Sequence, residues 1–166
     1  MEVRQMSTAF LFNENKVLLM KKDSSRITET EFWTGLGGHL EPDELNFPKR
    51  ACIREIFEES GIQEEEIEEL KLRYILLRIK DEEIRQQFVY FGKTKRTNYI
   101  NSEEGELHWI DKDKILELRL SKIVSFMVKH FLENPNKNEI IIGTITINNE
   151  ESPEIQWSEL KDPKIF

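Results

Sequence analysis

The chain has a single cysteine, Cys52, in 166 residues. A lone thiol excludes an internal disulfide and any metal site built from several cysteines. Basic residues are also in deficit: 24 Lys and Arg stand against 32 Asp and Glu, for a net charge of −8. No basic block of the kind that grips a nucleic-acid backbone or an anionic membrane is present, so no nucleic-acid polymer is expected as a partner. Long apolar runs are missing too. None approaches the roughly 20 residues of a membrane span, and the first residues, MEVRQMSTAFLFNENK, lack the apolar core of a secretory signal. A reducing, cytoplasmic setting and no membrane association are therefore the expectations. No Pro/Gly/Ser-rich linker and no internal repeat interrupt the chain. Its length, 38% apolar content and ten Phe suit one domain over 1–166 with a substantial core.

What is present is a run of alternating elements. Residues 5–12 and 17–21 are apolar stretches around the polar Asn13-Glu14-Asn15-Lys16, which predicts a hairpin. Residues 23–31 are polar and turn-rich. Phe32-Trp33 leads into Gly35-Leu36-Gly37-Gly38, a flexible approach to whatever follows. A helix is predicted over 48–60, with Pro48 in the first turn and Gly61 just past the end. Strands follow at 71–80 and 86–95 around the Asp81-Glu82-Glu83 corner, and another at 106–110. Helices are predicted around 112–118 and 121–133. Residues 136–166 add a further strand, a turn and a short extended piece. Such strand pairs with separated helices favour a layered mixed α/β or α+β domain.

Residues 54–61, REIFEESG, hold three glutamates within five positions. At about 100° per residue, Glu55, Glu58 and Glu59 fall within about 100° of one another. Cys52, Ile53, Ile56 and Phe57 form a separate apolar stripe, and Cys52 is expected to be a packed core thiol. Most glutamate runs on helices are solvated faces. Two costs weigh against that here. Like charges three and four apart repel by roughly 0.2–0.5 kcal/mol per pair, and Glu58 and Glu59 sit at the helix end where the dipole disfavours anions. A hard divalent cation reverses both costs. The helix alone is compatible with either reading.

The preceding residues decide. The stretch 37–62, GGHLEPDELNFPKRACIREIFEESGI, resembles the Nudix box: Gly, five residues, Glu, seven residues, then Arg-Glu-apolar-x-Glu-Glu-x-Gly-apolar. Gly38 and Glu44 fill the first part, and Glu41 adds the usual Gly-Gly-x-x-Glu approach. Arg54, Glu55, Ile56, Glu58, Glu59, Gly61 and Ile62 fill the second without a mismatch. One departure stands out. Nine residues separate Glu44 from Arg54 where the pattern has seven, and the two extra residues are expected in Leu45-Asn46-Phe47.

The resemblance implies an α/β/α sandwich with a mixed sheet, and hydrolysis of a nucleoside diphosphate linked to another group. It implies Mg²⁺ or Mn²⁺ held by Glu55, Glu58 and Glu59, with the Gly37 carbonyl and Glu104 as further ligands. Glu55 or Glu58 acts as general base. Gly38, Glu44, Arg54 and Gly61 are the structural residues of the box, with Glu44 paired to Arg54. His39 and Trp33 are the candidates for substrate contact; Phe32, Phe88, Tyr90 and Trp109 are further aromatic candidates for stacking a base. Lys21, Lys22 and Arg26 can meet phosphate oxygens, although solvation is the simpler role. Phe32-Trp33 and Glu-Gly-Glu-Leu-His-Trp-Ile look like the MutT-type enzymes. Those convert nucleoside triphosphates to monophosphate and pyrophosphate, and several act on oxidised purines such as 8-oxo-dGTP. Other nucleoside diphosphate derivatives (ADP-ribose, a sugar nucleotide, a dinucleoside polyphosphate) are the alternative substrates, and a nucleotide sensor without catalysis is the alternative class. The expected partner is a small nucleotide, with the chain as a monomer or homodimer. The segment 136–166 can close a sheet edge, cover the pocket or join a dimer.

Overall fold

The apolar stretches of the first 20 residues are continuous because both faces of their strands are covered. The computed structural model describes residues 1–22 and 31–165; Arg26 and the rest of the polar stretch 23–30 lie outside them. The strands are β1 (Glu2–Asn13), β2 (Lys16–Lys22), β3 (Phe32–Thr34), β4 (Leu36–His39), β5 (Glu68–Lys80), β6 (Glu83–Lys93), β7 (Glu106–Asp111), β8 (Ile141–Ile147) and β9 (Pro153–Glu159). The helices are α1 (Pro48–Ser60) and α2 (Lys122–Glu133).

All nine strands join one sheet, ordered β3-β2-β1-β6-β5-β8-β9, with β4 paired to β1 and β7 to β2. The sheet is mixed: β1 runs parallel to β6 and β5 parallel to β8, while the other pairs are antiparallel. Residues on alternate positions serve opposite layers. Phe10, Val17, Leu19, Tyr74, Leu76, Val89 and Phe91 pack with Ile123, Val124, Met127 and Val128 of α2. Ala9, Leu11, Leu18, Met20, Leu36 and Tyr90 pack with Cys52 and Ile56 of α1. This is the expected α/β/α sandwich.

The edge of β1 divides in a way that places the site. Its far end, Leu11–Asn13, pairs with β2, whereas Met6–Ala9 pair with β4. Where β1 and β2 part, the glycine segment 35–38 is wedged between them. The turn joining β5 and β6 uses Asp81 and Glu82, both with positive φ (52° and 64°), the conformation that matches the twist of a two-residue hairpin.

Two expectations need correction. The helix predicted near 112–118 is a 3-10 helix over Lys112–Glu117, set by tight turns rather than by an apolar stripe. Phe57, placed on the buried stripe by spacing, is 49% exposed. The face of α1 that packs down carries Ala51, Cys52, Glu55, Ile56, Glu59 and Ser60, so two glutamates turn inward and Phe57 turns out. The segment 136–166 takes the edge role: β8 adds to β5, and β9 forms the outer strand.

Candidate active site

Helix α1 starts at Pro48, as read from the sequence, and ends at Gly61, whose φ of 72° lets its N–H return to the Phe57 carbonyl at 2.8 Å. The added residues Leu45-Asn46-Phe47 lie ahead of the helix, and Leu45 and Phe47 are exposed. They leave the box pair intact. Arg54 donates from Nε to Glu44 Oε1 and from Nη2 to Glu44 Oε2, both at 2.9 Å. Glu44 also accepts from the Glu41 N–H at 3.0 Å and is 3% exposed. This two-pronged bond, held at low exposure, keeps the Glu44 carboxyl below its ordinary range, chiefly through its hydrogen bonds to Arg54.

The same arginine reaches the catalytic candidates. Its Nη1 donates to Glu55 Oε1 at 2.8 Å and to Glu58 Oε2 at 3.1 Å, and its Nη2 also reaches the His39 carbonyl at 3.2 Å. Glu44 therefore anchors one side of the guanidinium while the other side neutralises the glutamate face. Glu55 is 8% exposed and lies flat against Gly38; a Cβ built on Gly38 falls 2.5 Å from Glu55 Oε1. A side chain at Gly38 would therefore displace the Glu55 carboxylate from where it lies.

Glu59 is the most enclosed of the three, at 2% exposure. Its Oε2 accepts from the Gly37 N–H at 2.7 Å, and its Oε1 is buried without a hydrogen bond, 3.9 Å from Lys22 Nζ. Burial pushes its carboxyl up to about 8, against the pull of the Gly37 N–H and Lys22. Burial likewise raises Glu55, opposed by Arg54. Lys22 Nζ also donates to Glu104 Oε2 at 3.0 Å, so the loop before β7 comes to the same place as α1. Lys22 is thus a partly exposed partner of the acidic cluster rather than an unpaired surface cation.

The predicted residues are only partly assembled. Glu55, Glu58, Glu59 and Glu104 share one neighbourhood, but among the described residues no three acidic or histidine side chains converge as a ready metal cage. Arg54 Nη1 is shared by Glu55 and Glu58, and Lys22 Nζ by Glu59 and Glu104, so side-chain cations occupy the space between the carboxylates. The donor set nevertheless suits a hard cation: oxygen ligands only, two of them desolvated, one with a buried oxygen lacking a partner. The His39 side chain is exposed.

Beside the box lies a cavity of about 180 Å³ that reaches from Gly37 and Gly38 past Trp33 to Arg78 and Gln87. Of the aromatic candidates, Phe32 and Trp33 line it. Phe88, Tyr90 and Trp109 belong to the other layer, packed with α1. Thr8, Arg78, Gln87 and the start of α2 at Ser121, Ile123 and Val124 were not singled out by sequence. Arg78 carried a signal: it continues the alternation that buries Tyr74 and Leu76 on the α2 side of the sheet.

A family model described as NUDIX domain matches residues 4–131. No curated protein matches the chain. Solved structures share its fold. A MutT protein from Bacillus halodurans aligns with a TM-score of 0.65 at 22% identity, over 93% of this chain and 97% of that one. A Nudix hydrolase from Nitrosomonas europaea gives 0.71 at 17%, over 87% and 80%. A C. elegans Ap4A hydrolase gives 0.62 at 16%, over 80% and 96%. Helix, glycine loop and matched segment coincide, and the chain belongs to the Nudix family of hydrolases, enzymes that cleave phosphoric anhydrides.

Proposed function

We propose that the chain cleaves a nucleoside triphosphate to the monophosphate and pyrophosphate, with Mg²⁺ or Mn²⁺ held by Glu55, Glu58 and Glu59. The observation that carries this is the desolvated pair Glu55 and Glu59 turned inward against Gly37-Gly38, glycines that also line a cavity sized for one ring system. Glu104, brought to Glu59 through their shared Lys22, is the further ligand.

The bound metal supplies charge neutralisation on phosphoryl oxygens and a lower pKa for water. The chain's own residues do the rest. Glu59, fixed by the Gly37 N–H, ties the glycine strand to α1 and so sets where phosphate meets carboxylate. Arg54 is anchored on Glu44 through Nε and Nη2, so Glu55 and Glu58, which share its Nη1, could exchange that one donor for a bound cation without loss of the Glu44 pair. Glu55 or Glu58 then accepts the proton of the attacking water. Trp33 supplies one wall for the base. Cleavage within a dinucleoside polyphosphate is the second reading, supported by the fold shared with the Ap4A hydrolase.

The test is a substrate panel with Mg²⁺ and with Mn²⁺, resolving pyrophosphate from phosphate. Triphosphate turnover releasing pyrophosphate is expected. Glu58→Gln and Glu59→Gln are each expected to lower kcat more than tenfold in a folded protein. Wild-type turnover in both variants removes the assignment, and release of mononucleotides from Ap4A alone selects the second reading. Comparing the pH–rate profiles of Glu55→Gln and Glu58→Gln identifies the base, whose loss removes the acidic limb.

A further inference from the structure

Strand β5 changes phase part-way along. Leu70 and Leu72 pack with the α1 layer, whereas Tyr74 and Leu76 pack with the α2 layer. Strict alternation cannot do both. The extra residue is Arg73, which the register skips between Leu72 (opposite Tyr90) and Tyr74 (opposite Val89). A bulge of this kind re-aims a side chain. Here it turns Arg73 into a cleft that Lys71 also lines, with the guanidinium 5.7 Å from the centre of the Phe91 ring.

That cleft, of about 320 Å³, has an aromatic floor. Phe12 lies 5.3 Å from Phe91 and 5.6 Å from Phe131, and Phe91 lies 4.8 Å from Phe131, ring centre to ring centre. Phe12 and Phe131 are only half-buried. The rim is cationic: Lys71, Arg73, Lys93 and Lys112 stand against Glu14 and Glu69. Lys93 is engaged by Glu69 at 2.7 Å, and Lys71 acts on the same carboxylate. Arg73 donates from Nη2 to the Lys137 carbonyl, while its Nε is buried without a hydrogen bond. Among the described residues the Lys112 ammonium has no hydrogen bond or ion pair. A local excess of cations beside exposed aromatic rings is unexpected in a chain of net charge −8. Guanidinium and ammonium groups bind phosphate well, and phenyl rings accept a flat ring against them. The volume sits at the lower end of the roughly 300–1,000 Å³ typical of small-molecule sites.

We infer that this cleft is a second ligand site, for a nucleoside monophosphate, with the base on Phe12 and Phe131 and the phosphate between Arg73 and Lys112. The choice of ligand rests on the proposed reaction, whose product it is; the cleft itself does not. None of the box glutamates or glycines lines it. Helix α2 runs between the two places, its start at the cavity beside Gly37-Gly38 and its end, Phe131, at this cleft. Side-chain cations meet the phosphate directly here, so binding needs no metal.

The test is calorimetry on the full chain in chelator, with AMP, adenosine and inorganic phosphate as separate probes. AMP is expected to bind at least tenfold more tightly than either fragment. Amide NMR shifts on adding AMP are expected at Arg73, Gly92 and Phe131, with Gly37 and Gly38 unmoved. Arg73→Gln and Lys112→Glu are each expected to weaken AMP at least fivefold and to leave adenosine unchanged; Lys112→Glu carries the test alone if the Arg73 variant does not fold. No AMP binding in chelator, shifts centred on Gly37 and Gly38, or wild-type affinity in the variants would each overturn the inference. Metal-independent AMP binding at the cleft, with no hydrolysis of any triphosphate, would instead remove the proposed reaction and leave this site standing.

Discussion

Glu59 shows what burial does to a carboxylate that the Gly37 N–H and a lysine 3.9 Å away offset only in part. Its folded pKa of about 8 lies above its ordinary value of 4.5. Between those values the folded chain holds a proton that the unfolded chain has lost, so stability falls as pH rises. The contribution is complete below about pH 4.5 and is gone above about pH 8, amounting to at most about 5 kcal/mol. In chelator, urea denaturation of the wild type should therefore show falling stability over that window. Glu59→Gln should flatten it; equal slopes in both proteins would contradict the assignment. Mg²⁺ should raise the wild-type Tm more at pH 8 than at pH 5, because a cation and a proton compete for the same oxygens. Glu44 makes the complementary case. Removing one partner of a well-buried ion pair is costly, and Arg54 retains some exposure, so Glu44→Gln should cost about 2–3 kcal/mol. The freed guanidinium then competes for Glu55 and Glu58, and the Mg²⁺ needed for half-maximal activity should rise at least threefold. An unchanged metal requirement would show that Arg54 does not act on those glutamates.

Elements were legible wherever local chemistry decided them. Pro48 and Gly61 bounded α1, and the hairpins followed from polar corners between apolar runs. The inward turn of Glu55 and Glu59 was not legible from spacing, which put Phe57 inside. Spacing ranks apolar side chains above acidic ones, yet the glycine strand offers Glu59 a backbone N–H and leaves room for Glu55 over Gly38. The role of β8 and β9 was also open, since edge addition, lid and dimer contact share one apolar pattern. Their attachment rests on aromatic packing. Trp157 lies 4.5 Å from the His130 ring and 5.8 Å from Tyr74, whose hydroxyl meets His130 Nδ1 at 2.9 Å. A Cβ on Gly143 would fall 2.4 Å from the Trp157 ring, so that indole covers the glycine. Trp157→Ala should cost about 2–3 kcal/mol, less than the 3–5 of a fully buried tryptophan. The kcat should stay within threefold, because this cluster does not line the cavity beside the box. A tenfold fall in kcat with unchanged Tm would instead tie the edge strands to catalysis.

At the scale of the whole molecule, two apolar layers hold the sheet, and the acidic seam is set into the packed face of α1 beside Cys52 and Ile56. The fold class was legible because the box motif brings its layers with it; the cavity was not, since it is assembled from β1, β3, β4, β5, β6 and the start of α2, most of them far apart in sequence. A net charge of −8 repels a triphosphate at long range, and the local cations Arg54 and Lys22 are already committed to carboxylates. Binding of a triphosphate must then depend on added cation far more than folding does. Chelation at pH 7 should abolish hydrolysis and weaken triphosphate binding at least tenfold, while far-ultraviolet circular dichroism stays the same and Tm moves by only a few degrees. Raising monovalent salt should not restore activity, because screening removes repulsion without bridging carboxylate to phosphate. Loss of the folded state on chelation would show that the cation belongs to the structure as well. Full activity in chelator would show that the acidic seam works without one.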